Sequence, residues 1–220
     1  SVGAYYANLD EKDLTSFTLT ETVRVADTFD LEFGYAYTTL QLGNFRPKLI
    51  AAALPNIRTD HASMHTLSVR TPLIRENSWG TNWVPAVTVG AHYKHNNDID
   101  GIDRALGGAL AARGYRSDSG IEFTIVASKT LIEPIGNRPL IVSLCTRITE
   151  ASQIGLTGFT NSYSPELEAS VVYLLTGKLA LAAEYRSKPD EITELPNLIE
   201  SEEDWWDVGL AYLVNEHLSF

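Results

Sequence analysis

The sequence predicts an all-β chain folded as an antiparallel up-and-down transmembrane β-barrel. Three observations carry that expectation. Apolar residues recur with a period of two along nearly the whole chain, short and long connections alternate, and aromatic residues sit near both ends of the strands. A period of two places alternate side chains on opposite faces of a strand. A barrel in lipid needs one of those faces apolar and outward, the other polar and inward.

The elements follow in order. Ser1–Asn8 opens the chain as a strand. In Phe17–Ala26 the odd positions are Phe17, Leu19, Glu21, Val23 and Val25, with Thr18, Thr20, Thr22 and Arg24 between them. Glu21 breaks the rule, which a bulge or an interfacial position would explain. Phe29–Tyr37 sets Phe29, Leu31, Phe33, Tyr35 and Tyr37 against Asp30, Glu32, Gly34 and Ala36. His65–Thr71 is a weaker member. Trp83–Lys94 and Gly120–Lys129 alternate cleanly, Leu140–Thr149 weakly, then Glu166–Leu175, Leu179–Lys188 and Trp206–Val214 cleanly again. Leu218–Phe220 starts a last strand. Helical spacing is convincing only in Ile102–Arg113, where Gly107 and Gly108 lower the propensity of a short helix at the barrel mouth.

Ala26–Thr28, Thr176–Lys178 and Asn215–His217 are three-residue breaks, with Pro72–Asn82 and Leu131–Arg138 longer but turn-like. Between them come Leu9–Thr15, Leu40–Ala62, His95–Ser119, Glu150–Ser164 and Pro189–Glu203, mostly long and rich in Gly, Asn, Asp and Pro. Turns at one end and loops at the other are the plan of an outer-membrane barrel. Phe29, Tyr37, Trp83, Tyr93, Tyr173, Tyr185, Trp206 and Tyr212 are the candidates for its two aromatic girdles, with Trp83 and Tyr93 expected at opposite ends of one strand. A soluble β-sandwich or lipocalin-like barrel is the competing architecture, and it lacks the alternation of loop length.

The inner face then carries Arg24, Arg70, Lys94, Arg147, Arg186 and Lys188 against Glu32, Glu122, Glu166, Glu168, Glu184 and Asp207, together with His92. These are the lumen-lining candidates. Hairpin register places Glu168 opposite Arg186, Glu166 opposite Lys188, and Arg24 opposite Asp30 or Glu32. The two signs balance, so the formal charge of −11 on 220 residues comes mainly from loops and turns. The segment Asp190–Asp207 holds eight acids, has no calcium-loop spacing, and reads as a solvated surface loop.

An acidic chain is a poor match for nucleic acid. Cys145 is alone, which excludes a disulfide framework within the chain. No apolar run approaches the roughly 18–20 residues of a membrane helix. No elbow, P-loop or zincin motif occurs, and His92 and His95 fall on opposite faces of one strand. No catalytic residue, metal site or cofactor is assigned. The expected function is passive passage of small polar solutes. The alternative is a closed structural barrel or one that binds through loops 40–62, 95–119 and 189–203. A lipid-modifying enzyme, with His92 as the residue to test, is a third reading.

Five stretches carry a family resemblance: WVPAVTVGAHYKHN at 83–96, GIEFTIVASKT at 120–130, ASQIGLTGF at 151–159, LALAAEYRSKPDEI at 179–192 and EDWWDVGLAYLVNEHLS at 203–219. They resemble an uncharacterised proteobacterial outer-membrane β-barrel family, known as domain of unknown function thirty thirty-four. The likeness is strongest over 83–220. It implies location in the Gram-negative outer membrane, contact with a lipid bilayer containing lipopolysaccharide, and no known activity. It also supports reading 1–220 as a single β-barrel domain truncated at both ends. On that reading about 11 strands are visible and the complete barrel has roughly 12–14, since bacterial barrels have even counts.

Overall fold

The computed structural model describes residues 1–9, 12–26, 29–43, 46–53, 60–189, 192, 201–215 and 218–219. Its strands are β1 (Val2–Leu9), β2 (Lys12–Ala26), β3 (Phe29–Gln41), β4 (His61–Ile74), β5 (Ala86–Asn96), β6 (Ser119–Ile135), β7 (Arg138–Ala151), β8 (Phe159–Leu174), β9 (Leu179–Arg186), β10 (Trp205–Asn215) and the two-residue β11 (Leu218–Ser219). Each pairs antiparallel with the next, giving one sheet in the order β1 to β11. The sheet curls into an open half-barrel. Among the described residues, no pairing joins β1 to the other edge.

The period-two expectation describes this sheet well, because alternation is a local property that needs no knowledge of partners. The strands nevertheless run further than the alternation. β2 begins at Lys12, so most of the expected Leu9–Thr15 loop is strand. β6 runs to Ile135 through a register shift after Leu131, which leaves Gly136 and Asn137, both at positive φ, as its turn to β7. β5 starts at Ala86, so Trp83 stands in the β4–β5 connection and not on the same strand as Tyr93. Glu21 lies opposite Phe33 in unbroken register; the bulge of that hairpin falls between Arg24 and Ala26. A bulge therefore does not account for Glu21, which is exposed on the outer face.

The expected 102–113 helix is also redistributed. Helix α2 spans Ile99–Ala105, three residues earlier, because the Asn96 side-chain oxygen accepts from the Asp98 and Ile99 amides and starts the helix there. Gly107 and Gly108, at φ 69° and 83°, end it, and a single 3-10 turn follows at Ala111–Arg113. A helix not foreseen, α1 (Arg46–Ala53), lies in the β3–β4 connection with Pro47 in its first turn, where a missing N–H costs nothing. In the loop-end connections, Leu42, Ile99, Ile102, Leu110, Tyr115 and Ile192 pack with Ala62 as the apolar core of a cap.

The two faces of the sheet differ sharply in polarity. Phe17, Leu19, Val23, Phe33, Leu67, Val69, Phe123, Ile125, Leu144, Leu167, Leu181, Val208 and Leu210 are all exposed, and register places them on one face. The other face buries polar groups: Glu122, Asn96, Thr149 and Ser152 are among the most enclosed side chains of the molecule, beside Phe159.

Candidate functional site

The inner face forms a cavity of about 720 Å³, with walls contributed by strands from β2 to β10. Thr22, Thr88, Thr124, Ser128, Ser143 and Ser170 give it a hydroxyl lining, Glu32, Arg70, Arg147, Glu168, Glu184 and Arg186 give it charge, and His92 adds an imidazole. Toward the loop end a continuous ion-pair network forms its floor. Lys94 Nζ meets Glu122 Oε1 at 2.8 Å, Arg147 Nη1 meets Glu122 Oε2 at 2.7 Å, and Arg147 Nε meets Glu168 Oε1 at 2.7 Å. Arg186 continues the chain to Glu166 at 2.5 Å and Glu168 at 3.4 Å. Thr149 Oγ1 donates to Glu122 Oε1 at 2.8 Å. Three cations against three carboxylates leave the network neutral, and hydrogen bonds take up the remaining polar atoms, the condition under which buried charge is tolerated.

His92 sits at the edge of this floor. Its Nδ1 is 2.8 Å from Ser68 Oγ and its Nε2 is 3.1 Å from Thr124 Oγ1. A serine–imidazole contact of this length is one half of a nucleophilic device, but the orienting partner is a hydroxyl where such devices use a carboxylate or amide. Cys145 lines the same wall. Among the described residues no group of three or more His, Cys, Asp or Glu side chains is placed to hold a metal ion.

Above the floor the connection 152–158, between β7 and β8, turns inward. Lys94 Nζ also donates to the Ile154 carbonyl at 3.0 Å, and Asn96 Nδ2 donates to the Gly155 and Leu156 carbonyls at 3.0 and 2.9 Å. Glu202 Oε1 accepts from Ser152 Oγ and the Gln153 amide, while Glu202 Oε2 pairs with Lys188 Nζ at 2.8 Å. Outside these the cap is tied by Asp98, whose Oδ2 accepts from the Ser63 amide and hydroxyl, and by the Tyr115 hydroxyl donating to Asp100. Burial, reinforced by that bond, pushes the Tyr115 phenol well above its ordinary range. The Asp204 carboxyl, accepting from the Tyr185 hydroxyl and the Lys188 amide, is held below the usual carboxylate range.

A family profile for proteins of unknown function (DUF3034) matches residues 1–220. The chain belongs to this family. The match extends the likeness over the first 82 residues, where the quoted motifs are absent. No curated protein and no solved structure matches the chain.

Against the family frame, the residues singled out from sequence fall into three groups. Lys94, Glu122, Arg147, Glu166, Glu168 and Arg186 come together in the floor network. Glu32 pairs with Arg70 on the wall, and Arg24 pairs at 3.3 Å with Asp30 near the turn-side rim, where the Arg24 side chain is 70 % exposed. Glu184 faces Asp207 across β9 and β10, and neither has a counter-charge among the described residues. Lys188 departs from expectation: β9 ends at Arg186, so Glu166 takes Arg186, and Lys188 leaves the wall for Glu202. Tyr37, Tyr93, Tyr173, Tyr185, Trp206 and Tyr212 stand on the outer face, Trp206 directly opposite Tyr185. Only the backbone of Phe29 is described, and His217 and most of Asp190–Glu200 lie outside the described residues. Sequence reasoning missed Asn96, Glu202 and the inward turn of 152–158. Its one trace was the pair Gly155 and Gly158, both at positive φ.

Proposed function

We propose that the protein is an outer-membrane β-barrel of a Gram-negative cell, its lumen shut on the loop side and recessed as a pocket toward the turn side. One observation carries the membrane reading: the exposed face is built of large apolar side chains while charge is enclosed. Patches of that extent on a water-soluble protein would drive association, whereas hydrocarbon requires them. Lipid also requires that both sheet edges be paired, because an unpaired edge leaves backbone N–H and C=O groups with no water to meet them. Closure of the gap between β1 and the β10–β11 edge is therefore part of the proposal, as is contact with lipopolysaccharide.

Two readings of the lumen were open, a passive channel for small polar solutes and a closed barrel. The closed barrel has the better support. The floor side chains Glu122 and Glu166 are enclosed, the 152–158 connection lies over them, and no residue of that connection lines the cavity. The test is twofold. Membrane fractionation with unheated-versus-heated gel migration should place a compact, heat-modifiable species in the outer membrane. Purified protein in planar bilayers should stay silent across voltage and salt, and sugar-driven liposome swelling should match protein-free vesicles. Recovery in the soluble fraction would remove the membrane reading; steady conductance would return the lumen to the channel reading.

A further inference from the structure

We propose that the 152–158 connection is a displaceable stopper, making the barrel a gated conduit for small polar solutes and not a permanently sealed one; the inference rests on the closed-lumen reading above. The connection joins β7 to β8 yet is bound by β5, two strands from β7 along the curled sheet, and lies close to β4. Lys94 and Asn96 of β5 donate to three consecutive carbonyls, those of Ile154, Gly155 and Leu156. A Cβ added at Gly155 would stand 2.8 Å from Met64 Sδ of β4.

The manner of attachment is what makes it displaceable. Its polar links are three to backbone carbonyls on one side, and on the other Glu202 accepting from Ser152 and Gln153 with Lys188 Nζ 3.5 Å from Gln153 Oε1, while Leu156 is its one buried apolar side chain. Water or an entering solute can replace each polar link in kind. Opposing them is a backbone held far from its preference. Gln153 and Ile154 sit at φ 47° and 59°, and positive φ is a genuine outlier for a β-branched residue such as Ile154. Strain of this kind persists only while surrounding contacts over-determine it, and it favours release once they weaken. The charges beneath sit on neighbouring strands, β5 to β9, so without the stopper they line the wall of a passage and do not cross it. Glu122 keeps Arg147 and Thr149, and Arg147 keeps Glu168, when the connection moves.

Asn96→Asp gives a selective test. The new carboxylate keeps the oxygen that accepts from the Asp98 and Ile99 amides, so the start of α2 survives, but it loses both donors and sets negative charge against the Gly155 and Leu156 carbonyls. In planar bilayers the wild type should be silent and Asn96→Asp should open in discrete steps. Should Asn96→Asp not refold to the heat-modifiable form, a chain with 153–157 shortened to a Gly-Ser linker should open likewise. Asp98→Asn, which loosens the cap at Ser63 without touching the stopper, should stay silent. Silence of wild type and of a folded stopper variant overturns the gate and leaves the closed barrel standing. Opening of Asp98→Asn as well overturns it by showing general loosening. A conducting wild type overturns both readings.

Discussion

At the scale of single residues, the position of a charge on the inner face decides its worth. Glu122 is fully enclosed and satisfies Lys94, Arg147 and Thr149 at once. Glu122→Gln leaves two buried cations short of a partner, and the expected loss is about 3–5 kcal/mol, the usual cost of breaking a buried pair. Arg24→Ala, at an exposed pair, should change stability by less than about 1 kcal/mol. Urea unfolding in lipid vesicles compares the two directly. Glu76, in the β4–β5 connection, gives a pH prediction. The Thr130 amide first, then Lys129, holds its carboxyl below the ordinary 4.5. A depressed folded pKa means that its contribution is complete above 4.5 and is lost as pH falls through the lower folded value. Carbon NMR of the Glu76 carboxyl should therefore titrate below 4.5, and a midpoint at or above it would remove the linkage. Which face a charge within a strand occupies was legible from alternation alone. Which partner it takes was not: Lys188 reaches Glu202 because β9 stops two residues earlier, and strand ends are set by tertiary contacts that the pattern does not encode.

At the scale of elements, the strands were legible and their joints were not. Eleven strands follow from period two, but α1, the displaced start of α2 and the inward turn of 152–158 depend on single side chains reaching across sequence, as Asn96 does over about sixty residues. The start of β6 illustrates how close that joint is. A Cβ at Gly120 would lie 2.5 Å from Phe159 Cδ1 and 2.8 Å from Glu150 Oε1, and Phe159 is wholly enclosed with nowhere to move. Gly120→Ala should cost about 1–3 kcal/mol, the range for overpacking. Gly209 in β10 has no atom within 4 Å of an added Cβ, so Gly209→Ala should be neutral or stabilising by up to about 1 kcal/mol. Heat-induced loss of the compact gel species ranks the pair. Equal effects would mean that Phe159 does not wedge β6 against the loop end.

At the scale of the whole molecule, every inference above turns on what touches the outer face. Two surroundings make opposite demands on the same side chain. In water, replacing an exposed isoleucine by arginine is close to neutral or helpful, since surface substitutions away from special features fall within about 0.5 kcal/mol. In hydrocarbon the same change costs about 2–4 kcal/mol at mid-depth and about 0–1 near the interfaces. Ile125 lies near the middle of β6, exposed and pointing away from the cavity, while Trp83 stands exposed beyond the start of β5 at the turn end. Ile125→Arg should therefore destabilise the protein in phospholipid vesicles by about 2–4 kcal/mol, with Trp83→Arg costing at most about 1 kcal/mol. The depth dependence is the discriminating quantity, because a general loss of β propensity would not vary with height along the barrel. Equal costs at the two positions, or no cost at either, would place water against this face, and the enclosed charges would then have to be explained as the interior of a soluble half-barrel.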